Sequence, residues 1–274
     1  MQLESTVDEF KAQGLAVAAI SHDTREILSH FEKRMGGFRY PLLADPASTI
    51  IRAFGILNRN VPEKDPEYGM ARPGTFVVDE NGIVTSKYFE PGHRQRVTAE
   101  SMLVREFGVG GGTLTQVDTP HLKLTAYPAQ DIARRGNRIT LVIELELPEK
   151  MHVYAPGVEG YRPVSVAIPD IPYVRVHETT FPESEVMLLP VIEEAVPVFH
   201  DSVRILQDVT LSPRLPGPDA NELSIPVTFS YQACDDRVCY APTQVELTLK
   251  LKVTSHDDTR VPEEIRRKAN TSGN

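Results

Sequence analysis

The segment Tyr231-Gln232-Ala233-Cys234-Asp235-Asp236-Arg237-Val238-Cys239-Tyr240-Ala241-Pro242 carries the two cysteines of the chain. Strand-like residues precede it at 225–231, and residues 243–253 after it alternate Val, Leu and Thr with polar side chains. This pattern predicts a β-hairpin with both cysteines at its tip. The C-x-x-x-x-C spacing is compatible with a disulfide, whose Cα atoms must lie within about 7 Å of each other.

The sequence around the cysteine pair leaves three hypotheses open. Redox exchange is favoured, because so short a loop gains little loop-closure entropy from a bridge and because a hairpin tip is accessible to a partner. The alternatives are a plain structural disulfide and a free or metal-bound pair. Two thiolates form only half of a structural zinc site, and no histidine follows at zinc-finger spacing.

Composition limits the possible partners and compartments. The 274 residues suffice for two domains, and the net charge of −9 argues against nucleic acids and anionic membranes. No apolar run approaches the roughly 20 residues of a membrane span, and Met1–Lys11 lacks the features of a secretory signal. Taken literally, the chain is cytoplasmic, whereas a surface disulfide favours an oxidising compartment. No metal or organic cofactor site is predicted.

The first part of the chain alternates strand and helix patterns, which predicts an α/β domain over residues 1–107. The predicted elements are a strand at Leu15–Ile20, a helix at Asp23–Met35 closed by Gly36-Gly37, a strand at Tyr40–Asp45, a helix at Ala47–Phe54 with Pro46 at its first position, a hairpin with Asn81-Gly82 between Thr75–Asp79 and Ile83–Tyr88, and a helix at Thr98–Phe107.

A glycine-rich linker at residues 108–114 separates this domain from a different pattern. Residues 115–255 contain short alternating runs between Pro, Gly and Asp turns, which predicts a β-sandwich. The runs are Leu122–Ala126, Arg138–Leu147, Ser165–Ile168, Arg204–Leu211, Leu223–Tyr231 and Val245–Val253. Residues 256–274 form a polar tail whose last five residues are predicted to be disordered.

Four ordered segments of the first domain carry a family resemblance: Gly14–Asp23, Phe38–Pro46, Phe54–Ile56 and Arg72–Gly82. Together they resemble the peroxiredoxin (AhpC/TSA-type) branch of the thioredoxin superfamily, which implies a thioredoxin-like fold. That family's catalytic cysteine lies on a helix just before the segment that matches residues 2–14, but no cysteine precedes Cys234. We therefore expect a fragment or a misplaced start; a redox-dead remnant is the alternative. A sheet without its first strand would expose an unpaired inner edge.

Four residues of this domain occupy positions of interest. Arg72 matches the region where peroxiredoxins place an arginine near the catalytic thiolate, and Pro73 lies near the superfamily's cis-proline. A surface arginine followed by a proline at a strand entry is favoured over such a role, because this region has no cysteine for the arginine to serve. His22 and Asp23 follow a strand end, where α/β sites collect, although a polar loop and a helix cap are favoured.

The second domain resembles the N-terminal domain of the thiol:disulfide interchange protein DsbD. The resemblance rests on Tyr231–Cys234 and Cys239–Pro242, supported by Leu147–Tyr154. It implies an immunoglobulin-like sandwich whose cysteine pair accepts electrons from a thioredoxin-like domain and passes them to other thiol proteins. The implied partners are thioredoxin-like or other thiol redox proteins, and the implied location is extracytoplasmic.

The same resemblance suggests roles for individual residues. Cys239 is the partner-facing sulfur and Cys234 the resolving one. Tyr154 matches a tyrosine beside the pair. For Tyr231 and Tyr240, packing as aromatic strand ends is favoured, and a position of Tyr240 beside the disulfide is the alternative.

Other residues near the pair have charge or proton-transfer roles as hypotheses. For His152 an exposed strand histidine is favoured, and a proton donor or acceptor to a leaving thiolate is the alternative. Asp235 and Asp236 would raise the thiol pKa values, whereas Arg237 would oppose them. Residues 190–200 are expected to form an ordinary acidic loop, with a cap over the disulfide as the alternative.

The leading functional hypothesis is a two-domain thiol–disulfide oxidoreductase that relays electrons through Cys234 and Cys239. The alternatives are a non-catalytic binding module with a structural disulfide, and a fragment of a peroxiredoxin-type antioxidant enzyme whose peroxidatic cysteine lies upstream of Met1. No peroxidase activity is expected from the chain as written.

Overall fold

The computed structural model describes residues 2–92, 94–158, 160–189, 194–217, 221–235, 237–255 and 262–266. It forms two compact units, the first from residues 2–99 with 262–266 and the second from residues 100–255. The helices are α1 Gln2–Ser5, α2 Val7–Ala12, α3 Arg25–Met35, α4 Thr49–Ala53 and α5 Ala99–Phe107, with a 3-10 turn at Glu263–Ile265. The strands are β1 Ala19–Ser21, β2 Leu42–Ala44, β3 Gly74–Val78, β4 Val84–Phe89, β5 Arg96–Val97, β6 Thr115–Asp118, β7 Lys123–Pro128, β8 Ile132–Arg134, β9 Asn137–Glu146, β10 His152–Tyr154, β11 Ser165–Ala167, β12 Val174–Thr180, β13 Glu185–Leu189, β14 Glu194–His200, β15 Ser202–Leu211, β16 Asn221–Tyr231, β17 Ala233–Cys234 and β18 Thr243–Thr254.

The first unit contains a short parallel strand pair and a helix with the predicted ends. β1 pairs parallel with β2, with Ile20 opposite Leu43. Helix α3 begins after Thr24, whose hydroxyl accepts a hydrogen bond from the Ile27 amide, and it ends at Gly36 with φ 84°. A side-chain cap and a left-handed glycine are local signals, so the predicted helix is confirmed.

Helix α4 begins later than the sequence predicts. Pro46 does not occupy its first position, because the helix starts at Thr49. The Asp45 carboxylate accepts hydrogen bonds from the amides of Thr49 at 2.8 Å and Ile51 at 2.9 Å. This carboxylate satisfies the first amides of the helix, so a proline is not needed there.

The predicted hairpin of the first unit is confirmed, with a longer connection than its Asn-Gly pair suggests. β3 and β4 are antiparallel and are joined by residues 79–83. The Asp79 carboxylate accepts hydrogen bonds from the amides of Asn81 at 2.9 Å and Ile83 at 2.8 Å. Gly82 has a φ of 79°, which explains the glycine at this position. Among the described residues, this hairpin and the β1–β2 pair form separate sheets.

The second unit is built on two facing sheets, which confirms the predicted sandwich. One sheet has the strand order β12-β15-β9-β7-β6, and the other has the order β11-β16-β18-β8. Burial alternates strictly along β18, as expected for a strand with one face in the core and one in water. The common core contains Ile143 and Ile205 from the first sheet and Phe229 and Leu249 from the second.

Helix α5 packs mainly within the second unit. A salt bridge of 2.7 Å joins Arg105 to the buried Asp208, which also contacts Arg138 at 2.7 Å. The Ser101 hydroxyl accepts a hydrogen bond from the Thr140 amide at 2.9 Å. Contacts therefore group residues 100–107 with the sandwich, although the sequence pattern places this helix at the end of the first domain. This grouping of contacts does not test the domain limits predicted from the sequence, residues 1–107 and 115–255, which stay a prediction.

A third sheet with the order β13-β14-β10-β17 leads to the cysteine pair. It corrects one expectation, because Glu194–His200 is a strand between β13 and β10 rather than a loop. The pairing of this strand with β13 and β10 depends on tertiary contacts, which the acidic, proline-containing sequence of the segment does not indicate. Residues 190–193 and most of the predicted tail lie outside the described residues. No helix in the described part of the chain is long and apolar enough to cross a membrane.

Candidate functional site: a half-exposed disulfide

The two cysteines lie at the tip of the predicted hairpin. β16 and β18 are antiparallel, and their pairing runs as far as Tyr231 opposite Thr243. The connection between them contains the short strand β17, in which Ala233 and Cys234 pair with β10. The hairpin tip is therefore fixed to a neighbouring strand, so the cysteines have a defined place on the sandwich.

Cys234 and Cys239 form a disulfide, which excludes the hypothesis of a free pair in this structure. The two residues stand directly opposite each other, with a Cα–Cα distance of 4.1 Å. Backbone hydrogen bonds of 2.9 Å flank them, from the Asp235 amide to the Val238 carbonyl and from the Tyr240 amide to the Ala233 carbonyl. This is the close, non-hydrogen-bonded position of an antiparallel pair, where side chains approach most closely.

The disulfide is asymmetric in its access to solvent. Cys234 is 1% exposed and packs in an apolar cluster with Val196 and Val198. Cys239 is exposed and follows Val238, whose side chain is 52% exposed. In the part of the chain that the structure describes, Cys239 is thus the exposed member of the pair and Cys234 the buried one.

Tyr154 brings a hydroxyl to both sulfurs. Its oxygen lies 3.3 Å from Cys239 Sγ and 3.4 Å from Cys234 Sγ. The side chain is fully buried, and burial, with a smaller contribution from the charge of Glu194, raises its pKa above the ordinary value. The phenol therefore stays protonated near neutral pH and can donate a hydrogen bond to either sulfur.

Tyr161 packs on Tyr154 and is itself held by Glu194. The ring of Tyr161 stacks on that of Tyr154 at a centroid distance of 4.5 Å. The Tyr161 hydroxyl donates a hydrogen bond of 2.8 Å to Glu194, and this bond raises the pKa of Tyr161. Sequence reasoning missed Tyr161, since no local pattern indicates that this loop residue lies over β10.

His152 lies beside the pair but not on the surface. It is opposite Cys234 in the β10–β17 ladder, and only 2% of it is exposed. The favoured interpretation of His152 as an exposed strand histidine is therefore wrong, because β14 and β17 pair on both sides of β10. Its ring is edge-on to Tyr154 at 6.0 Å. A role in proton transfer stays a prediction.

Asp235 and Tyr240 organise the turn between the cysteines. The Asp235 carboxylate accepts 2.7 Å hydrogen bonds from the amides of Arg237 and Val238 and a 2.8 Å bond from the Tyr240 hydroxyl. These hydrogen bonds lower the pKa of Asp235; the bond from the Arg237 amide contributes most, and those from Tyr240 and Val238 contribute less. This carboxylate therefore stays charged and holds the turn; its predicted effect on the thiol pKa values is not tested. Asp236 lies outside the described residues.

His121 is a further neighbour that sequence reasoning did not identify. Its ring stacks on Tyr240 with a centroid distance of 4.1 Å and an interplanar angle of 25°. It comes from the turn between β6 and β7, which is distant in sequence from the cysteines. No local pattern indicated this contact.

Arg72 and Pro73 belong to the first unit, not to the group around the disulfide. Arg72 is exposed, and its amide donates a 2.7 Å hydrogen bond to the Ile56 carbonyl. Pro73 immediately precedes β3, and its peptide bond is trans.

Within the part of the chain that the structure describes, no three His, Cys, Asp or Glu residues group closely enough to hold a metal ion.

Comparisons with known proteins agree with both resemblances. Residues 1–87 match the AhpC/TSA family, and residues 123–251 match the family of the N-terminal region of thiol:disulfide interchange protein DsbD. The fold is thus a thioredoxin-like first region followed by an immunoglobulin-like β-rich region.

Curated relatives of the chain include bacterial alkyl hydroperoxide reductases. Alkyl hydroperoxide reductase C of Amphibacillus xylanus is 32% identical over 79 residues, which are 28% of this chain and 38% of the relative. The Staphylococcus saprophyticus protein of the same name is 31% identical over 85 residues, which are 30% of this chain and 41% of the relative. The chain thus spans about two fifths of the length of these relatives.

Two solved structures are neighbours of the chain at low similarity. The reduced N-terminal domain of DsbD from Neisseria meningitidis has a TM-score of 0.29 and 12% identity, covering 41% of this chain and 77% of that structure. The N-terminal periplasmic domain of ScsB from Proteus mirabilis has a TM-score of 0.36 and 12% identity, covering 57% of this chain and 52% of that structure. The second region is therefore assigned by the family match. The chain thus joins a region that matches the AhpC/TSA family, at residues 1–87, to a region that matches the DsbD N-terminal family, at residues 123–251.

Proposed function

We propose that the second unit exchanges electrons with thiol redox proteins through Cys234 and Cys239. The observation that supports this most is the asymmetry of the disulfide, with Cys239 exposed and Cys234 buried against Tyr154. A purely structural bridge has no need of one accessible sulfur and a hydroxyl donor shared by both. The match to the DsbD N-terminal family supports the same reaction class.

The exchange begins when a partner thiolate attacks Cys239 Sγ. The new bond joins the partner sulfur to Cys239, the internal S–S bond breaks, and Cys234 leaves as a thiolate. A second thiolate of the partner then attacks the partner's own sulfur in this mixed disulfide and displaces Cys239. Two electrons pass to the pair, which becomes a dithiol, while the partner becomes a disulfide.

Tyr154 acts on the leaving group in this scheme. Its hydroxyl is already 3.4 Å from Cys234 Sγ, and its raised pKa keeps the proton on the phenol oxygen. It donates a hydrogen bond to the Cys234 thiolate as charge develops on this sulfur, whose residue is 1% exposed. Such a preorganised donor favours the transition state over the resting disulfide.

Single-cysteine variants test the direction of attack. Cys234→Ser leaves the exposed Cys239, and Cys239→Ser leaves the buried Cys234. In the full chain, we expect Cys239 in the first variant to react with Ellman's reagent at least about tenfold faster than Cys234 in the second. Equal rates, or a faster Cys234, would contradict the proposed direction. Far-UV circular dichroism of both variants controls for loss of fold.

The first region is proposed as a redoxin-type module that does not itself react in this chain. Residues 1–107 contain no cysteine, so no thiol is present there to attack peroxide. The curated relatives are named alkyl hydroperoxide reductase C, and the chain covers about two fifths of them. In a parent protein that carried a cysteine in this region, a short linker would raise its effective concentration near the Cys234–Cys239 pair.

A further inference from the structure

Hydrogen bonds to the Asp235 carboxylate, one of them from Tyr240, hold the segment between the two cysteines. One carboxylate oxygen of Asp235 accepts the amides of Arg237 and Val238, and the other accepts the Tyr240 hydroxyl at 2.8 Å. The bond between the two side chains therefore joins Asp235, which follows Cys234, to Tyr240, which follows Cys239. The position of the Tyr240 ring consequently affects the geometry of the pair.

The Tyr240 ring is itself held by His121, whose turn is well anchored. The Thr119 hydroxyl donates to the Leu122 carbonyl at 2.7 Å and accepts from the Leu122 amide at 3.1 Å. It also accepts a 2.7 Å hydrogen bond from Tyr231, which is 1% exposed. The two tyrosines that flank the cysteine segment thus have linked roles: Tyr231 fixes the turn that carries His121, and His121 stacks on Tyr240 at 4.1 Å.

We propose that His121 is a positioning residue that sets the redox equilibrium of the disulfide. This inference rests on the proposed function, because it assigns His121 a part in the same exchange. By holding Tyr240 on Asp235, the histidine keeps Cys234 and Cys239 opposite each other in the dithiol state as well. Two thiols held in place re-form their bond more readily than two thiols on a loose turn, because their effective concentration is higher.

The equilibrium with glutathione measures this effect directly. Two glutathione molecules supply the two electrons and protons, the internal S–S bond breaks, and the products are the protein dithiol and glutathione disulfide. Loosening the turn lowers the effective concentration of the two thiols, so it shifts this equilibrium towards the dithiol. It does not change the number of electrons or protons exchanged.

The test compares His121→Ala with His121→Phe in the full chain, in glutathione buffers of defined ratio. The alanine variant loses the stack, and we expect its equilibrium constant to shift about three- to tenfold towards the dithiol. The phenylalanine variant keeps an aromatic ring on Tyr240, and we expect it to stay within about twofold of the wild type. His30→Ala, in helix α3 of the first unit, is the matched histidine control.

Tyr240→Phe tests the same arrangement from its other end, because it keeps the ring but removes the hydroxyl bond to Asp235. We expect it to shift the equilibrium in the same direction as His121→Ala, and thermal unfolding of each variant checks its fold. An unchanged constant in both variants would overturn the role of His121 while leaving the exchange function intact. A His121→Phe variant that matches His121→Ala would overturn the stacking mechanism. A wild-type disulfide that does not equilibrate with glutathione would overturn the exchange function and this inference with it.

Discussion

Removing the Tyr154 hydroxyl is the perturbation that most directly tests its part in the reaction. Tyr154→Phe keeps the ring in its stack with Tyr161 but removes the donor that lies 3.3 and 3.4 Å from the two sulfurs. Hydrogen bonds to charged groups contribute about 1.5–3 kcal/mol, and sulfur is a weaker acceptor than oxygen, so we take about 1.5–2 kcal/mol. Since about 1.4 kcal/mol corresponds to a factor of ten, reduction of the disulfide should slow about 10- to 30-fold.

Stopped-flow reduction of the full chain by dithiothreitol gives this rate. Tyr173→Phe is the matched control, because Tyr173 is 53% exposed and lies outside the group around the disulfide. The expected rate of the control equals that of the wild type. A Tyr154→Phe variant that is reduced as fast as the wild type, with its disulfide and fold intact, would refute hydrogen bonding to the leaving thiolate.

Three further predictions concern stability, side-chain titration and the first region. Burial alone would raise the pKa of Asp208, but its contacts with Arg105 and its other partners outweigh burial, so the pKa in the folded state is lowered. The ionised carboxylate therefore stabilises the folded state above the pKa of an unfolded Asp, about 4, and this stabilisation is lost as the pH falls through the lower pKa of the folded state. Asp208→Asn should reduce the free energy of unfolding of the second unit by about 3 kcal/mol and flatten its acid dependence, as measured by urea denaturation between pH 2 and 7; an unchanged midpoint would contradict the buried ion pairs. Glu194→Gln should lower the pKa of Tyr161, and to a smaller extent that of Tyr154, in a spectrophotometric titration, and unchanged tyrosine titration would count against the described contacts. The chain should show no cysteine-dependent peroxide turnover in a coupled assay, and turnover that disappears on alkylation would disprove this expectation.

Local sequence signals predicted the elements whose ends depend on neighbouring residues. Helix α3 has its cap at Thr24 and its left-handed glycine at Gly36, and the alternation of β16 and β18 predicted the hairpin that carries the cysteines. These features depend on a few adjacent residues or on a two-residue period, so they are readable without tertiary information.

Elements that depend on distant contacts were not predictable in the same way. Glu194–His200 contains Pro197, which lacks an amide hydrogen and argues against a strand with neighbours on both sides, yet its carbonyl accepts a hydrogen bond from the Ala155 amide. The stack of His121 on Tyr240 depends on how the β6–β7 turn packs in the folded sandwich. The cysteines, Tyr154 and Tyr240 were identifiable because they lie in motifs, whereas His121 and Tyr161 lie in none.

The reduction potential of the Cys234–Cys239 pair tests the central claim most directly. It is obtained by equilibrating the full chain with dithiothreitol or glutathione buffers and counting free thiols by mass spectrometry after alkylation. Exchange with thiol redox proteins requires a potential within reach of their own, above about −300 mV. A value well below about −300 mV would mark a structural bridge and contradict the exchange function.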